Sequence, residues 1–544
     1  LPTGAQEYKN NYMKKSKSVP EKKLELTPEF QKTLDLLENT DRSVFITGRA
    51  GTGKSTLLDY FRNNTKKNVV VLAPTGVAAL NVQGQTIHSF FQFLPDITVD
   101  KVKKLAGNKR QLLQNLDTII IDEISMVRAD LLDCVDMALR LNRDFPELPF
   151  GGLQMVMIGD LYQLPPVVTG NERPVFTHHY NSPYFFSARA FQDENFQPEF
   201  IELEKVFRQK EADFLELLNA IRNRSVTEEQ LARLNSRCQP DFEPEEDDFY
   251  ITLTSTNEAA DRLNQQRLDR LPGQPHYYRG EIDGEFDRAS LPTSESLVLK
   301  EGAQVMLLNN DVYDRWVNGT IGRVEEIIRV PEKPDVIMVR LQDDNLVDVV
   351  PHQWEIFHFE FDRKKKKIIS RVVGTFTQYP LRLAWAVTIH KSQGKTFDRV
   401  IVDIGSGTFA PGQVYVALSR CTSFEGLILK KPIKKKHILM DYRVVRFLTQ
   451  FQYKKAEEKI PLEVKRQRIK EALKDGLWLE ITYLKPDDTK SRRVVQPLKL
   501  GYQQYGGKEF EALVGYCHLR QEERCFRLDR ILEIKLLQPE NKKQ

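Results

Sequence analysis

Eight residues constrain this chain more than any others: Gly48-Arg49-Ala50-Gly51-Thr52-Gly53-Lys54-Ser55, directly preceded by the apolar run Val44-Phe45-Ile46-Thr47. A G-x-x-x-x-G-K-[ST] segment between a strand and a helix turns successive backbone N–H groups inward around a triphosphate, and its glycines give the loop the freedom to do so. The surrounding chain must therefore build a parallel α/β sheet with this loop at a strand's carboxyl end. Gly48, Gly51, Thr52 and Gly53 shape the loop, Lys54 brings a point charge to the β- and γ-phosphates, and Ser55 offers a hydroxyl to Mg²⁺. ATP and Mg²⁺ are the expected cofactors.

A P-loop by itself specifies only a nucleotide. Thr118-Ile119-Ile120-Ile121 is a buried-strand run ending in Asp122-Glu123. There Asp122 can hold Mg²⁺ and Glu123 can orient and deprotonate an attacking water, whereas the same pair elsewhere would be a solvated turn. Kinases acting on small molecules need no such base, so the pair points to hydrolysis. A third apolar run, Gln154-Met155-Val156-Met157-Ile158, closes in Gly159-Asp160 and leads to Gln163-Leu164-Pro165-Pro166. The Gln163 amide can sense a γ-phosphate or simply cap the proline turn.

Organisation follows from apolar runs and breakers. Residues 1–25 read as a disordered tail, basic through Lys14, Lys15, Lys17, Lys22 and Lys23. Residues 26–197 alternate buried strands with amphipathic helices, the pattern of an α/β domain, with a small protruding element at 91–116. A second α/β domain occupies 198–290 and 370–450, with strands at 250–253 and 400–403 and helices at 258–271, 383–392 and 412–419. Between its halves, short β runs at 305–308, 324–329, 336–341, 346–350 and 356–361 predict a small barrel inserted at 291–369. Residues 451–467 read as a charged linker helix, and 468–536 as a further β-rich domain.

Composition narrows the class. At 544 residues the chain is too long for one core, and 40% hydrophobic with 29% charged residues is a soluble balance. It contains no apolar run of the roughly 18 residues that a membrane span needs. Leu1-Pro2-Thr3-Gly4 lacks methionine and a following apolar segment, and reads as a processed or expression-derived start. Cys134, Cys238, Cys421, Cys517 and Cys525 are scattered without a C-x-x-C, which suits a reducing compartment and argues against structural zinc or an iron–sulfur cluster. A net charge of +4 announces no polyanion, so local patches would have to carry that argument, and basic runs such as 363–367 and 434–436 are more often solvated surface than contact sites.

Further motifs appear in order: Ala73-Pro74-Thr75-Gly76-Val77-Ala78-Ala79, Thr86-Ile87-His88-Ser89-Phe90, Phe207-Arg208-Gln209, Thr388-Ile389-His390-Lys391-Ser392-Gln393-Gly394 and Tyr415-Val416-Ala417-Leu418-Ser419-Arg420. With the segments above, this series resembles the helicases of superfamily one, B branch, and most closely the petite-integration-frequency (Pif) helicases, relatives of RecD. The resemblance implies two RecA-like P-loop domains, an SH3-like β-barrel insertion, a strand-separating wedge near 91–116, and ATP-driven 5′ to 3′ movement on single-stranded DNA with unwinding of tailed duplex. It implies Arg208 and Arg420 as fingers reaching the γ-phosphate from the second domain, and Gln31, Gln393 and Gly394 as further nucleotide contacts. It implies DNA contacts at Thr75, His88 and Ser89 on the first domain, and at Thr254, Asn257, His390, Lys391 and Ser392 on the second. Either histidine can also be read as a satisfied core residue, and Phe90, Phe91 and Phe93 could stack on bases, although clustered phenylalanines more often pack inside. Forks, G-quadruplexes and RNA–DNA hybrids all remain open as the preferred structure.

The last segment, with Leu477-Trp478-Leu479-Glu480-Ile481-Thr482-Tyr483-Leu484 and Arg492-Arg493-Val494-Val495, resembles a WYL domain, a small Sm-like β-barrel that implies a nucleic acid or other ligand and a bacterial, cytoplasmic or nucleoid-associated setting. It departs from the type, reading Glu511-Ala512-Leu513 where Trp-Tyr-Leu would stand, although Tyr502, Arg524, Arg527 and Arg530 keep an aromatic, basic surface open. An alternative to a motor is an NTPase switch that regulates partner or ligand binding through this domain.

Overall fold

The computed structural model describes residues 27–168, 172, 176, 178–207, 211–405, 407–408, 410–486, 489–505 and 508–538. The basic tail expected at 1–25 and Arg208 fall outside them. The apolar runs of the first domain become β1 (Val44–Gly48), β2 (Val69–Ala73), β3 (Gln85–Thr86), β4 (Thr118–Ile121), β5 (Gln154–Ile158) and β6 (Glu199–Leu203), one parallel sheet in the order β3-β2-β4-β5-β1-β6. Every residue of β1, β4 and β5 is buried, as strands covered on both faces require. Because these three strands are neighbours, the segments following them emerge side by side at one edge of the sheet. The boundary expected at 197 is corrected: β6 pairs with β1 from Val44↔Glu199 to Gly48↔Leu203, and so belongs to the first sheet.

The second domain is a thinner parallel sheet, Ala386–Thr388, Ile251–Thr254, Val400–Asp403 and Leu427–Leu429 in that order. The helix expected at 383–392 does not form. Leu381–Leu383 joins the inserted barrel and Ala386–Thr388 edges the parallel sheet. Its backbone groups are claimed by other elements, since Trp385 O accepts from Thr252 N at 2.8 Å, Ala384 O from Gln304 Nε2 at 2.7 Å, and Ala386 is held at both N and O by Asn264. The helix Asn257–Arg270 forms close to its expected place, as does the short helix Gln413–Leu418.

The insertion is a five-stranded antiparallel sheet in the order Leu346–Val349, Val336–Leu341, Ile321–Ile328, Gln304–Leu307, Leu381–Leu383, closed over Val305, Val324, Ile337, Val339 and Trp316. Its fifth strand is thus Leu381–Leu383, and the run expected at 356–361 leaves the barrel. That run lies within His352–Asp362, which pairs with Lys367–Gln378 as a long hairpin. The basic block at 363–367 is at the hairpin's tip, where Arg363 donates to Gln111 Oε1 at 2.7 Å and Asn108 Oδ1 at 3.2 Å on the first domain's helix Gly107–Gln114.

After the second domain the chain crosses back. The helix Tyr442–Lys459 lays Phe447 and Phe451 on the first domain, with Phe447 stacked 4.2 Å from Phe186 and Phe451 5.2 Å from Phe200. The helix Leu462–Asp475 then packs Ile469 and Ala472 against a five-stranded antiparallel sheet spanning 478–537, whose inward residues include Leu479, Ile481, Val495, Leu513 and Ile534. The departure at Glu511 has a structural use, because its carboxylate accepts from Arg466 Nε at 2.8 Å. No helix among the described residues is long and apolar enough to cross a membrane.

Candidate active site and nucleic-acid interface

The segments after β1, β4 and β5 bring one ammonium and three carboxylates together. Gly51 and Gly53 hold left-handed φ of 79° and 83°, which lets the loop curl before the helix Lys54–Asn64 begins. A Cβ at Gly48 would lie 2.6 Å from Thr52 Oγ1 and 2.8 Å from Leu203 O, so only glycine fits between loop and strand. Lys54 Nζ donates to the carbonyls of Gly48 at 2.8 Å and Arg49 at 3.0 Å. Burial lowers its pKa, opposed by Asp160, Glu123 and Asp122 in that order.

Burial likewise raises the Asp122 pKa, while the Glu123 N–H and Lys54 pull it down. Glu123 sits at φ 50° and is held up to about 7, first by burial and then by the Asp122 charge. A carboxyl group poised there is matched to take a proton from water near neutrality. Asp160 organises the third segment, accepting from Tyr162 N at 3.1 Å and from Gln163 Nε2 at 3.2 Å.

The second domain closes the other side. Arg420, 1% exposed, donates to Val416 O at 3.0 Å, Lys395 O at 3.1 Å, Ser392 O at 3.4 Å and Ser419 Oγ at 2.9 Å, and its charge is felt at Glu123. Sequence reading missed two partners in this seam. Arg222, at the end of the helix Ala212–Arg222, lies 3.5 Å from Asp160 Oδ1 and 3.9 Å over the Tyr162 ring. Nothing local marks it, since it closes an ordinary amphipathic helix. The Tyr415 hydroxyl accepts from the P-loop's Ala50 N at 3.2 Å, and this residue did stand in a run already singled out.

The remaining nucleotide candidates are Gln31, Ser55, Gln393 and Gly394. Gln31 is exposed, with its amide on Asp35 Oδ1 at 3.0 Å, while the Phe30 and Phe207 rings flank Gly53. Ser55 is exposed in the first turn of the P-loop helix. Gln393 Nε2 is buried without a hydrogen-bond partner among the described residues, and Gly394 is exposed at φ 76°. An orphaned buried donor is a group that a phosphate oxygen could satisfy, the P-loop's amides and Lys54 suit a triphosphate, and a hydroxyl and a carboxylate suit the hard-oxygen preference of Mg²⁺.

The DNA candidates divide. Thr75 is exposed and caps the helix Gly76–Asn81, accepting from Ala78 N at 3.3 Å. His88 and Ser89 are half-buried, with Ser89 Oγ accepting from Gln85 Nε2 at 3.0 Å, and burial lowers the His88 pKa. Asn257 and Lys391 line a cavity of about 490 Å³ in the second domain together with Thr388 and Arg382. His390 is half-buried, and burial lowers its pKa. Thr254 and Ser392 are corrected to interior positions: both are buried, and their hydroxyls donate to Thr256 O at 3.0 Å and Ile389 O at 2.8 Å. Phe90 and Phe91 are core residues.

Comparison with known proteins agrees with this geometry. The family model of PIF1-like helicases matches residues 26–232, and that of the WYL domain matches 465–536. The ATP-dependent DNA helicase Pif1 of Bdellovibrio bacteriovorus is 34% identical over 444 residues, covering 80% of this chain and 94% of its own. PIF1 of Homo sapiens is 35% identical over 401 residues, covering 71% of this chain and 58% of its own. Among solved structures, Pif1 from Bacteroides sp in complex with ADP-AlF4 matches with TM-score 0.72 at 37% identity, covering 78% of this chain and 97% of that one. Bacteroides Pif1 bound to ssDNA matches with TM-score 0.57 at 37% identity, covering 78% and 96%. The chain therefore belongs to the PIF1-like helicase family: it is an ATP-hydrolysing DNA helicase that carries a WYL domain after its two RecA-like domains.

Proposed function

We propose that this helicase binds MgATP in the seam between its α/β domains and converts hydrolysis into 5′ to 3′ movement along single-stranded DNA, unwinding tailed or forked duplex in genome maintenance, repair or recombination. The observation that carries the reading is the convergence on one seam of Lys54, Asp122, Glu123 and Asp160 from the first domain with Arg222 and Arg420 from the second. Ser55 and Asp122 would hold Mg²⁺, which when bound neutralises charge on the β- and γ-phosphates. Lys54 leaves two loop carbonyls for the phosphates, Glu123 accepts the proton of the attacking water, and the Gln163 amide reports the γ-phosphate's presence. Arg420 and Arg208 stabilise the charge that spreads over the transferring group.

At almost the same identity, Bacteroides Pif1 matches this chain with TM-score 0.71 unliganded and 0.57 bound to ssDNA. The polarity rests on family resemblance, and the bacterial setting on relatives such as those from Bdellovibrio bacteriovorus and Campylobacter jejuni. The test is unwinding of 5′-tailed against 3′-tailed duplex, with G-quadruplex and RNA–DNA hybrid substrates as further arms. Unwinding of the 5′-tailed substrate alone, lost in Lys54→Ala, is expected; a preference for the 3′ tail refutes the polarity.

One contact favours a second reading, in which hydrolysis gates the WYL domain's hold on a nucleic acid or other ligand. Lys490 of that domain reaches Glu202 at 3.3 Å and Glu204 at 3.0 Å. Those residues lead to Phe207, whose N–H donates to the P-loop's Gly51 O at 2.8 Å. Turnover indifferent to DNA would favour the switch, and strong stimulation by single strands the motor.

A further inference from the structure

The Arg49–Ala50 peptide of the P-loop is held from two sides. Its carbonyl accepts from Lys54 Nζ at 3.0 Å, and its N–H donates to the Tyr415 hydroxyl at 3.2 Å. Because a trans peptide is planar, with its C=O and N–H pointing in opposite directions, moving one anchor turns the unit against the other. One anchor is the ammonium that a triphosphate would draw away. The other belongs to the second domain, on the helix Gln413–Leu418, five residues before Arg420.

That helix is pressed onto the first domain at a second point. Gly412, its N-cap, sits so close to the first domain that a Cβ there would lie 2.4 Å from both Tyr162 O and Gln163 O. Arg420 Nε in turn donates to Val416 O, on the same helix, at 3.0 Å. A continuous set of contacts therefore runs from Lys54 through one peptide group to Tyr415, and through one turn of helix to the arginine. The hydroxyl stays protonated in this setting, because burial and the Asp160 charge raise the Tyr415 pKa.

We propose that Tyr415 is a positioning residue for ATP hydrolysis: its hydroxyl ties the P-loop's Arg49–Ala50 peptide to the second domain, so that arrival of the triphosphate at Lys54 is transmitted to Arg420. The inference rests on the reading of Arg420 as a finger. Tyr415 needs no contact with ATP itself, so its removal lowers turnover and leaves nucleotide affinity in place.

The test is steady-state ATPase of the full chain with saturating single-stranded DNA, in Tyr415→Phe, Arg420→Ala and the double variant. Tyr415→Phe keeps the packed ring and removes one oxygen. It is expected to lower kcat roughly tenfold with KM for ATP within about twofold, and to cost no further activity once Arg420 is alanine. If Arg420→Ala alone is near parental, the finger reading fails. If Arg420→Ala is crippled but Tyr415→Phe is near parental, raises KM instead, or multiplies with Arg420→Ala, the finger stands and the Tyr415 proposal is overturned. Circular dichroism melting of each variant separates loss of coupling from loss of fold: if Tyr415→Phe melts well below the parent, Tyr415→Trp and Tyr415→His replace it, with histidine, which can still accept from Ala50 N, expected to retain more turnover than tryptophan and the reverse order overturning the proposal.

Discussion

The two α/β domains are parallel sheets of the same kind that end differently. In the first, three fully buried strands deliver a glycine loop with Lys54, the Asp122-Glu123 pair and Asp160 to one edge. In the second, the strand ends carry Thr254, Thr388 and Asp403, and what faces the seam comes from helices, as Tyr415 and Arg222. The difference teaches where a motor keeps its chemistry. On the proposed reading, the charges that hold a phosphate and move one proton are locked by a six-stranded sheet, while the domain proposed to lend arginines has only to approach it. Splitting the site in this way makes turnover depend on how the two bodies sit, which is the requirement for coupling hydrolysis to movement.

Removing the first domain's charge should break the comparison most completely. Lys54→Ala is expected to lower ATPase by roughly 10³-fold or more and to abolish unwinding, measured by phosphate release and a fluorescent tailed duplex. Next comes the second domain's contribution: Arg420→Ala should cost about 10²- to 10³-fold in kcat with a much smaller change in KM for ATP, and Arg420→Lys should rescue little, since a point charge cannot replace the planar fork. If either substitution left kcat within about threefold of the parent, the division of labour between the sheets would be wrong.

Glu123 offers a subtler handle. In the free enzyme its pKa is held up to about 7, above the unfolded value of 4.5, so the proposed base is half protonated near neutrality. The kcat/KM for ATP is expected to fall about tenfold per pH unit below about 7 and to level off above it. Linkage gives the opposite sign for stability, because a carboxylate with a raised pKa loses stabilisation as pH rises through the window from 4.5 to about 7. Glu123→Gln should therefore be nearly inactive yet melt at or above the parent's temperature at pH 8. A variant that melts lower would mean that the charge is satisfied in a way its burial does not suggest.

How far this site could be read in the sequence depended on how local its signals are. The β1, β4 and β5 runs were legible because strands covered on both faces are apolar throughout, and the residues that follow them could be assigned by chemistry. The segment around Ala384 was misread as a helix because its backbone partners, Gln304 and Asn264, lie far away in the chain. The same limit hid Arg222, whose partner Asp160 belongs to the other domain. Thr254 and Ser392 read as DNA contacts because a hydroxyl in a motif looks the same whether it points outward or donates to a nearby backbone carbonyl, as Thr254 does to Thr256 and Ser392 to Ile389. Asn257→Ala probes what remains of that face. With its amide lining the cavity beside Lys391, the substitution should weaken single-strand binding by about threefold to tenfold, read by fluorescence anisotropy, with DNA-independent ATPase unchanged.

The smallest effect concerns the appended domain. Lys490 stands between Glu202 and Glu204 at the edge of the first sheet, and its side chain is still 39% exposed. Ion pairs of this kind contribute about 0–1 kcal/mol and weaken with salt, so Lys490→Glu should lower the melting temperature by only a few degrees, less at about 0.5 M salt. If the first domain's chemistry is governed by its own sheet and by the second domain alone, DNA-stimulated ATPase in this variant stays within about twofold of the parent. A several-fold change would mean instead that the WYL domain acts on the P-loop through the strand it touches, and the comparison would then have to include three bodies rather than two.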